Sequence, residues 1–145
     1  MILNQTDINN IVDECEREKL SSPMEIAGFA AAYAEVRSAS KYSASPASGR
    51  LQRGPVEWIC KLANLIAPDN QNNVIGMEQI EDLLDAVLRK SISADEFYQK
   101  FETIRPFSTG TSRLGNLLWR YFKTQEIGDE AWNDDHIFME GSEWI

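Results

Sequence analysis

Histidine is nearly absent from this chain: His136 is the only one in 145 residues. There are two cysteines, Cys15 and Cys60, far apart in sequence. No Cys/His cluster can be assembled from these, so neither a structural zinc site nor any other metal or cofactor is expected. Both cysteines fall inside helical patterns, which predicts reduced core thiols rather than a disulfide. No apolar run approaches the roughly eighteen residues of a membrane-spanning helix, so no membrane association is expected. The opening MILNQTDINN has no basic start followed by an apolar block, so a cytoplasmic protein without a secretory signal is expected. Lys and Arg are missing altogether from Gln125 to Ile145, while seven acids are present there: Glu126, Asp129, Glu130, Asp134, Asp135, Glu140 and Glu143. Of the net charge of −9, this tail carries −7 and residues 1–124 carry −2. Such a balance disfavours direct nucleic-acid binding.

The composition is that of an ordinary globular chain, with 43% hydrophobic and 26% charged residues. The apolar spacing is helical throughout, and no parallel-sheet pattern or internal repeat is visible. Ile8, Ile11, Val12 and Cys15 form one stripe up to about Lys19. Ser21-Ser22-Pro23 breaks it, and Ser22, Pro23 and Glu25 read as N-cap, N1 and N3 of a capping box. The helix that follows, to about Ser38, places Ile26, Phe29, Ala30 and Tyr33 on one face. Its alanines and Gly28 predict a close helix–helix contact and make it a candidate central helix. From Ala39 to Gly54 the pattern dissolves into a Ser-rich loop or short hairpin with Lys41, Arg50 and Arg53 and no acid. Pro55 restarts a helix predicted to be well buried, and Pro68 ends it. Met77–Lys90 reads as an amphipathic helix. Ser93 and Glu96 form a second capping box. After Lys123, Trp132, Ile137, Phe138, Trp144 and Ile145 alternate with acids, a pattern too aromatic for simple disorder. The expectation is that this tail packs back on the body, with Asp134 and Asp135 near the basic loop, or else serves as a partner-binding arm or subunit contact.

The densest polar chemistry lies in Thr103–Phe122. One apolar helix ends near Ile104, and a second begins near Arg113. The loop between holds Pro106, Phe107, Ser108, Thr109, Gly110, Thr111 and Ser112, with Arg105 and Arg113 at its ends. Free amides and the positive end of the dipole converge at a helix N-terminus. Gly110 permits close approach, the hydroxyls can donate, and each guanidinium offers a fork for phosphate or carboxylate. The same composition also suits a plain interhelical loop whose hydroxyls cap the second helix.

The string RPFSTGTSR resembles a decayed form of the Fic-family motif H-P-F-x-(D/E)-G-N-G-R-x-x-R. Pro106, Phe107, Gly110 and Arg113 match it, and the resemblance extends over about Ser22 to Lys123. It implies a Fic-like, all-α bundle of five to six helices, with a short hairpin or flap between the second and third. On this reading residues 1–124 form the helical domain and 125–145 an acidic, aromatic tail. In the family the His is the general base, the acidic position holds Mg²⁺ and the last Arg clamps phosphate. Here those positions are Arg105, Thr109 and Asn116. A guanidinium stays protonated and cannot act as a base, and a hydroxyl is a weak ligand for a hard cation. The resemblance therefore implies a non-enzyme with no catalytic residue. It would bind a phosphate-bearing small molecule, such as a nucleotide or nucleotide-derived signal, through residues 105–113 and Asn116, with Lys41, Arg50 and Arg53 closing from the flap. Sequestration of such a ligand in bacterial or phage conflict would fit. The alternatives are a protein-interaction module using the scaffold and acidic tail, and a nucleotidyl or phosphoryl transferase with altered chemistry. Some Fic proteins carry an inhibitory motif that Ser21–Glu25 approaches, but Ile26 departs from it, and the stretch reads as a capping box alone.

Overall fold

The structure, a computed structural model, describes residues 3–42, 55–68, 74–107 and 110–133. It is all-α, with seven helices among the described residues: α1 Gln5–Arg17, α2 Pro23–Tyr42, α3 Pro55–Ile66, α4 Val74–Leu88, α5 Ala94–Ile104, α6 Thr111–Ile127 and α7 Glu130–Asn133. No helix among them is long and apolar enough to cross a membrane. Arg50, Arg53 and the hairpin expected around them lie outside the described residues, as do His136 and the tail from Asp134. The helical backbone of α2 continues through Lys41, so the first part of the expected loop is helix.

The central element is α6. Every residue from Arg113 to Phe122 is buried, including Leu114, Leu118 and Trp119 at 0% exposure. It packs against α5, α2, α3 and α7. A helix enclosed on all sides needs partners for its polar residues, and these are supplied from neighbouring helices. Trp119 Nε1 donates to Asp95 at 2.7 Å, and Arg120 Nη1 donates to the Ala131 carbonyl at 2.7 Å. Thus α2, the candidate central helix on sequence grounds, flanks the true centre. Its close contact is real, however: a Cβ on Gly28 would stand 2.0 Å from the carbonyl oxygen of Leu65 in α3.

Two predicted faces are rotated. On α1, Ile11 and Cys15 are buried, but Ile8 and Val12 are exposed. Asp7 and Glu14 take the inward positions because partners await them. The Tyr33 hydroxyl donates to Asp7 at 2.7 Å, and Asn116 Nδ2 donates to Glu14 at 2.9 Å. Ile26, expected on the core face of α2, is likewise exposed, while Phe29 and Tyr33 are buried. On α3, Trp58, Ile59, Leu62, Ala63 and Ile66 are buried, yet Glu57, Lys61 and Asn64 keep a polar outer face. The second predicted capping box is half formed. Ser93 accepts from the Glu96 amide at 3.1 Å, and Pro23 is the first residue of α2. The capping box of α1 uses Asn4 and Asp7. Neither cysteine forms a disulfide, with Cys15 buried and Cys60 half-buried.

The tail begins later than residue 125, because α6 runs to Ile127. Gly128 turns the chain into α7, and Trp132 is fully buried. Its ring packs edge-on to Tyr33 at 5.1 Å, with Arg37 over its face at 5.1 Å. Arg37 also forks onto Asp129 at 2.6 and 3.1 Å. The acidic segment therefore packs back on the body as far as Asn133, and it does so through Arg37.

Candidate functional site

The end of α5 and the start of α6 form a tight corner. Arg105 caps α5 in the left-handed region at φ 47° and ψ 65°. A non-glycine residue there carries about 1–2 kcal/mol of strain. Pro106 and Phe107 are buried, which pins the chain as it turns. Ser108 and Thr109 lie outside the described residues. Gly110, at φ 78°, is the N-cap of α6. A Cβ there would meet Ile66 Cγ2 at 2.9 Å and Arg113 Nη2 at 3.6 Å. Glycine thus serves both the backbone conformation and the close approach to α3.

A glycine N-cap leaves the first amides of α6 without a side-chain cap. The hydroxyls of Thr111 and Ser112 do not supply one. Thr111 Oγ1 donates backwards to the Phe107 carbonyl at 3.0 Å, and Ser112 Oγ donates to Glu102 Oε2 at 3.1 Å. These two residues stand at the corner as the sequence predicts, but their hydroxyls are committed within the protein.

The two arginines also part company. Arg105 is largely exposed, with Nη1 3.6 Å from Glu102 Oε2. The Arg113 side chain is nine-tenths buried, with Nη1 4.0 Å from Glu25 Oε2. That separation is an ion pair without a hydrogen bond, and Nη1 has no hydrogen-bond partner among the described residues. The Glu25 carboxylate of the Ser21–Glu25 stretch, read from sequence as part of a capping box alone, thus stands beside Arg113. Asn116 is buried one turn further along α6, bonded to Glu14 and leaving its own Oδ1 unpartnered. Lys41 belongs to the last turn of α2. Arg37, four residues before it, is locked to Asp129 and Asp7.

Three carboxylates unmarked by the motif border this corner: Glu14, Glu25 and Glu102. Burial pushes the Glu102 carboxyl above the ordinary carboxylate range, against the opposing pull of Ser112 and Arg105. Burial does the same to Glu14, against Arg17, with which it pairs, and Asn116. Glu102 Oε1 is wedged against Gly115, where a Cβ would lie 3.3 Å away, and burial also raises the Tyr98 hydroxyl beside it. An acid on the inward side of an otherwise apolar helix face is the sequence signal that marks Glu14 and Glu102. Among the described residues, no group of three or more His, Cys, Asp or Glu is placed to hold a metal ion.

No protein-family model, curated protein or solved structure matches this chain.

Proposed function

We propose that this is a non-catalytic, Fic-like helical protein that holds a phosphate-bearing small molecule, such as a nucleotide or nucleotide-derived signal, at the N-terminus of α6. The observation that carries the reading is Arg113. Its guanidinium is nine-tenths buried, lacks a hydrogen bond on Nη1 and stands beside Gly110 at a helix start with no side-chain cap. Burying such a charge without full pairing is costly. An anion at the corner would repay it with the N-terminal amides and a charge-assisted contact of about 1.5–3 kcal/mol. Arg105, exposed at the rim, adds attraction from outside. Catalysis is not part of the reading, because the position of the family's base is occupied by that same Arg105. Sequestration is the role such a site would play.

A second reading, a protein-interaction module, draws on a different observation. Ile8, Val12, Met24 and Ile26 are exposed apolar residues on α1 and the start of α2, a surface of the kind partner helices cover.

The test is a thermal-shift panel of nucleotides and cyclic nucleotides on the full chain. A rise in Tm that disappears in Arg113→Gln supports ligand holding. No shift at millimolar concentration of any compound contradicts it and leaves the interaction reading. Incubation with labelled ATP and protein targets is expected to give no labelled product; a label transferred by this chain would reinstate a transferase of altered chemistry.

A further inference from the structure

A groove of about 800 Å³ runs between α4 and α5, with Glu102 in its lining. It lies within the usual range of about 300–1,000 Å³ for small-molecule sites. We propose that it binds a small organic cation: an amine carrying a compact apolar body. This inference does not rest on the phosphate reading.

The floor is apolar, made by Leu83 and Ala86 of α4, Ile92 of the turn and Ile104 of α5. Such a floor takes a hydrocarbon or aromatic body. The charged lining then selects the head group, beside the neutral side-chain amides of Gln79 and Gln99. The Lys100 ammonium is paired with Glu96 at 3.1 Å, and the Thr103 hydroxyl donates to the Gln99 carbonyl at 2.9 Å. Asp82, by contrast, is an exposed carboxylate on the lining with no hydrogen bond or ion pair among the described residues. Glu102 also lines the groove, but Ser112 donates to its Oε2 and its Oε1 is buried against Gly115, so Asp82 is the carboxylate left for a ligand. The uncommitted charge is therefore negative. A carboxylate ligand would meet like charge, and a neutral ligand would leave Asp82 unused. An ammonium group satisfies Asp82 directly while its apolar body covers Leu83 and Ala86.

The test uses three probes of nearly one shape, 2-phenylethylamine, 2-phenylethanol and phenylacetate, titrated into the full chain by calorimetry. The expected order is amine tightest, alcohol weaker and acid undetectable. Asp82→Asn, at an exposed position that does not threaten the fold, is expected to weaken the amine about tenfold, the scale of one charge-assisted hydrogen bond. It should leave the alcohol unchanged. Ala86→Phe, which fills the groove from a half-buried position, is expected to abolish both, with its melting curve confirming a folded chain. No saturable binding of the amine, equal binding of the acid, or an amine affinity unaffected by Asp82→Asn would each overturn the proposal. Nucleotide binding at α6 would be unchanged by Asp82→Asn, so failure of one site is distinguishable from failure of the other.

Discussion

Gly28 of α2 and Leu65 of α3 meet backbone to backbone, and a Cβ on Gly28 would fall 2.0 Å from the Leu65 carbonyl oxygen. Alanine in a helix interior normally gains about 1 kcal/mol over glycine. Here the clashing atom is main chain and cannot rotate away, so overpacking, at about 1–3 kcal/mol and occasionally more, opposes that gain. The close approach favours the upper end of that range. Gly28→Ala is expected to destabilise the protein by about 2 kcal/mol, read as a lowered midpoint in urea with an unchanged slope. A neutral or stabilising result would mean the α2–α3 crossing is looser than described.

Arg37 is the latch for the C-terminal segment. It is buried, stands 3.4 Å from buried Asp7, forks onto Asp129 and covers Trp132. Burial works against its charge, but Asp129 and Asp7 more than offset this and hold its pKa above the ordinary value. Arg37→Met would strip Asp7 of its cation in the interior, and a loss of about 3–5 kcal/mol is expected. The Asp129 side chain is 65% exposed, and Asp129→Asn is expected to cost roughly 1 kcal/mol or less. Chemical denaturation of the two variants checks the ranking, and equal losses would contradict it.

Glu102 makes the stability depend on pH with a definite sign. Its carboxyl holds its proton more tightly folded than unfolded. Its contribution is therefore fully present below the unfolded value of about 4.3 and is lost as pH rises through the higher folded value. Melting temperatures measured across that window should fall less steeply with pH in Glu102→Gln than in wild type. A bound phosphate near Ser112 would favour the protonated carboxyl further. The affinity for a cyclic nucleotide, whose phosphodiester does not titrate in this range, should thus rise as pH falls, and this trend should flatten in the same variant.

Helix starts were legible where a side chain or proline carries the signal: Pro23, Pro55 and Ser93 all open helices as predicted. Helix ends were less so. Lys19 and Lys90 adopt positive φ at the ends of α1 and α4, a task the sequence normally advertises with glycine. The polar interior was hidden for a similar reason. Asp7 and Glu14 displace Ile8 and Val12 from the inward face of α1 because Tyr33, Arg37 and Asn116 lie across from them, and a linear pattern does not contain those long-range partners. At the corner, the glycine turn and the burial of Phe107 follow from residue type. The inward commitment of Thr111 and Ser112, and the placing of Glu25 beside Arg113, depend on packing between helices distant in sequence.

The central claim is that the start of α6 grips negative charge. Backbone amide chemical shifts of ¹⁵N-labelled full-length protein, followed during titration with the nucleotide that most raises Tm, test it residue by residue. The account predicts saturable shifts concentrated at Thr111, Ser112 and Arg113 that vanish in Arg113→Gln. Shifts confined to other helices, or a titration that leaves these three amides in place, would contradict it.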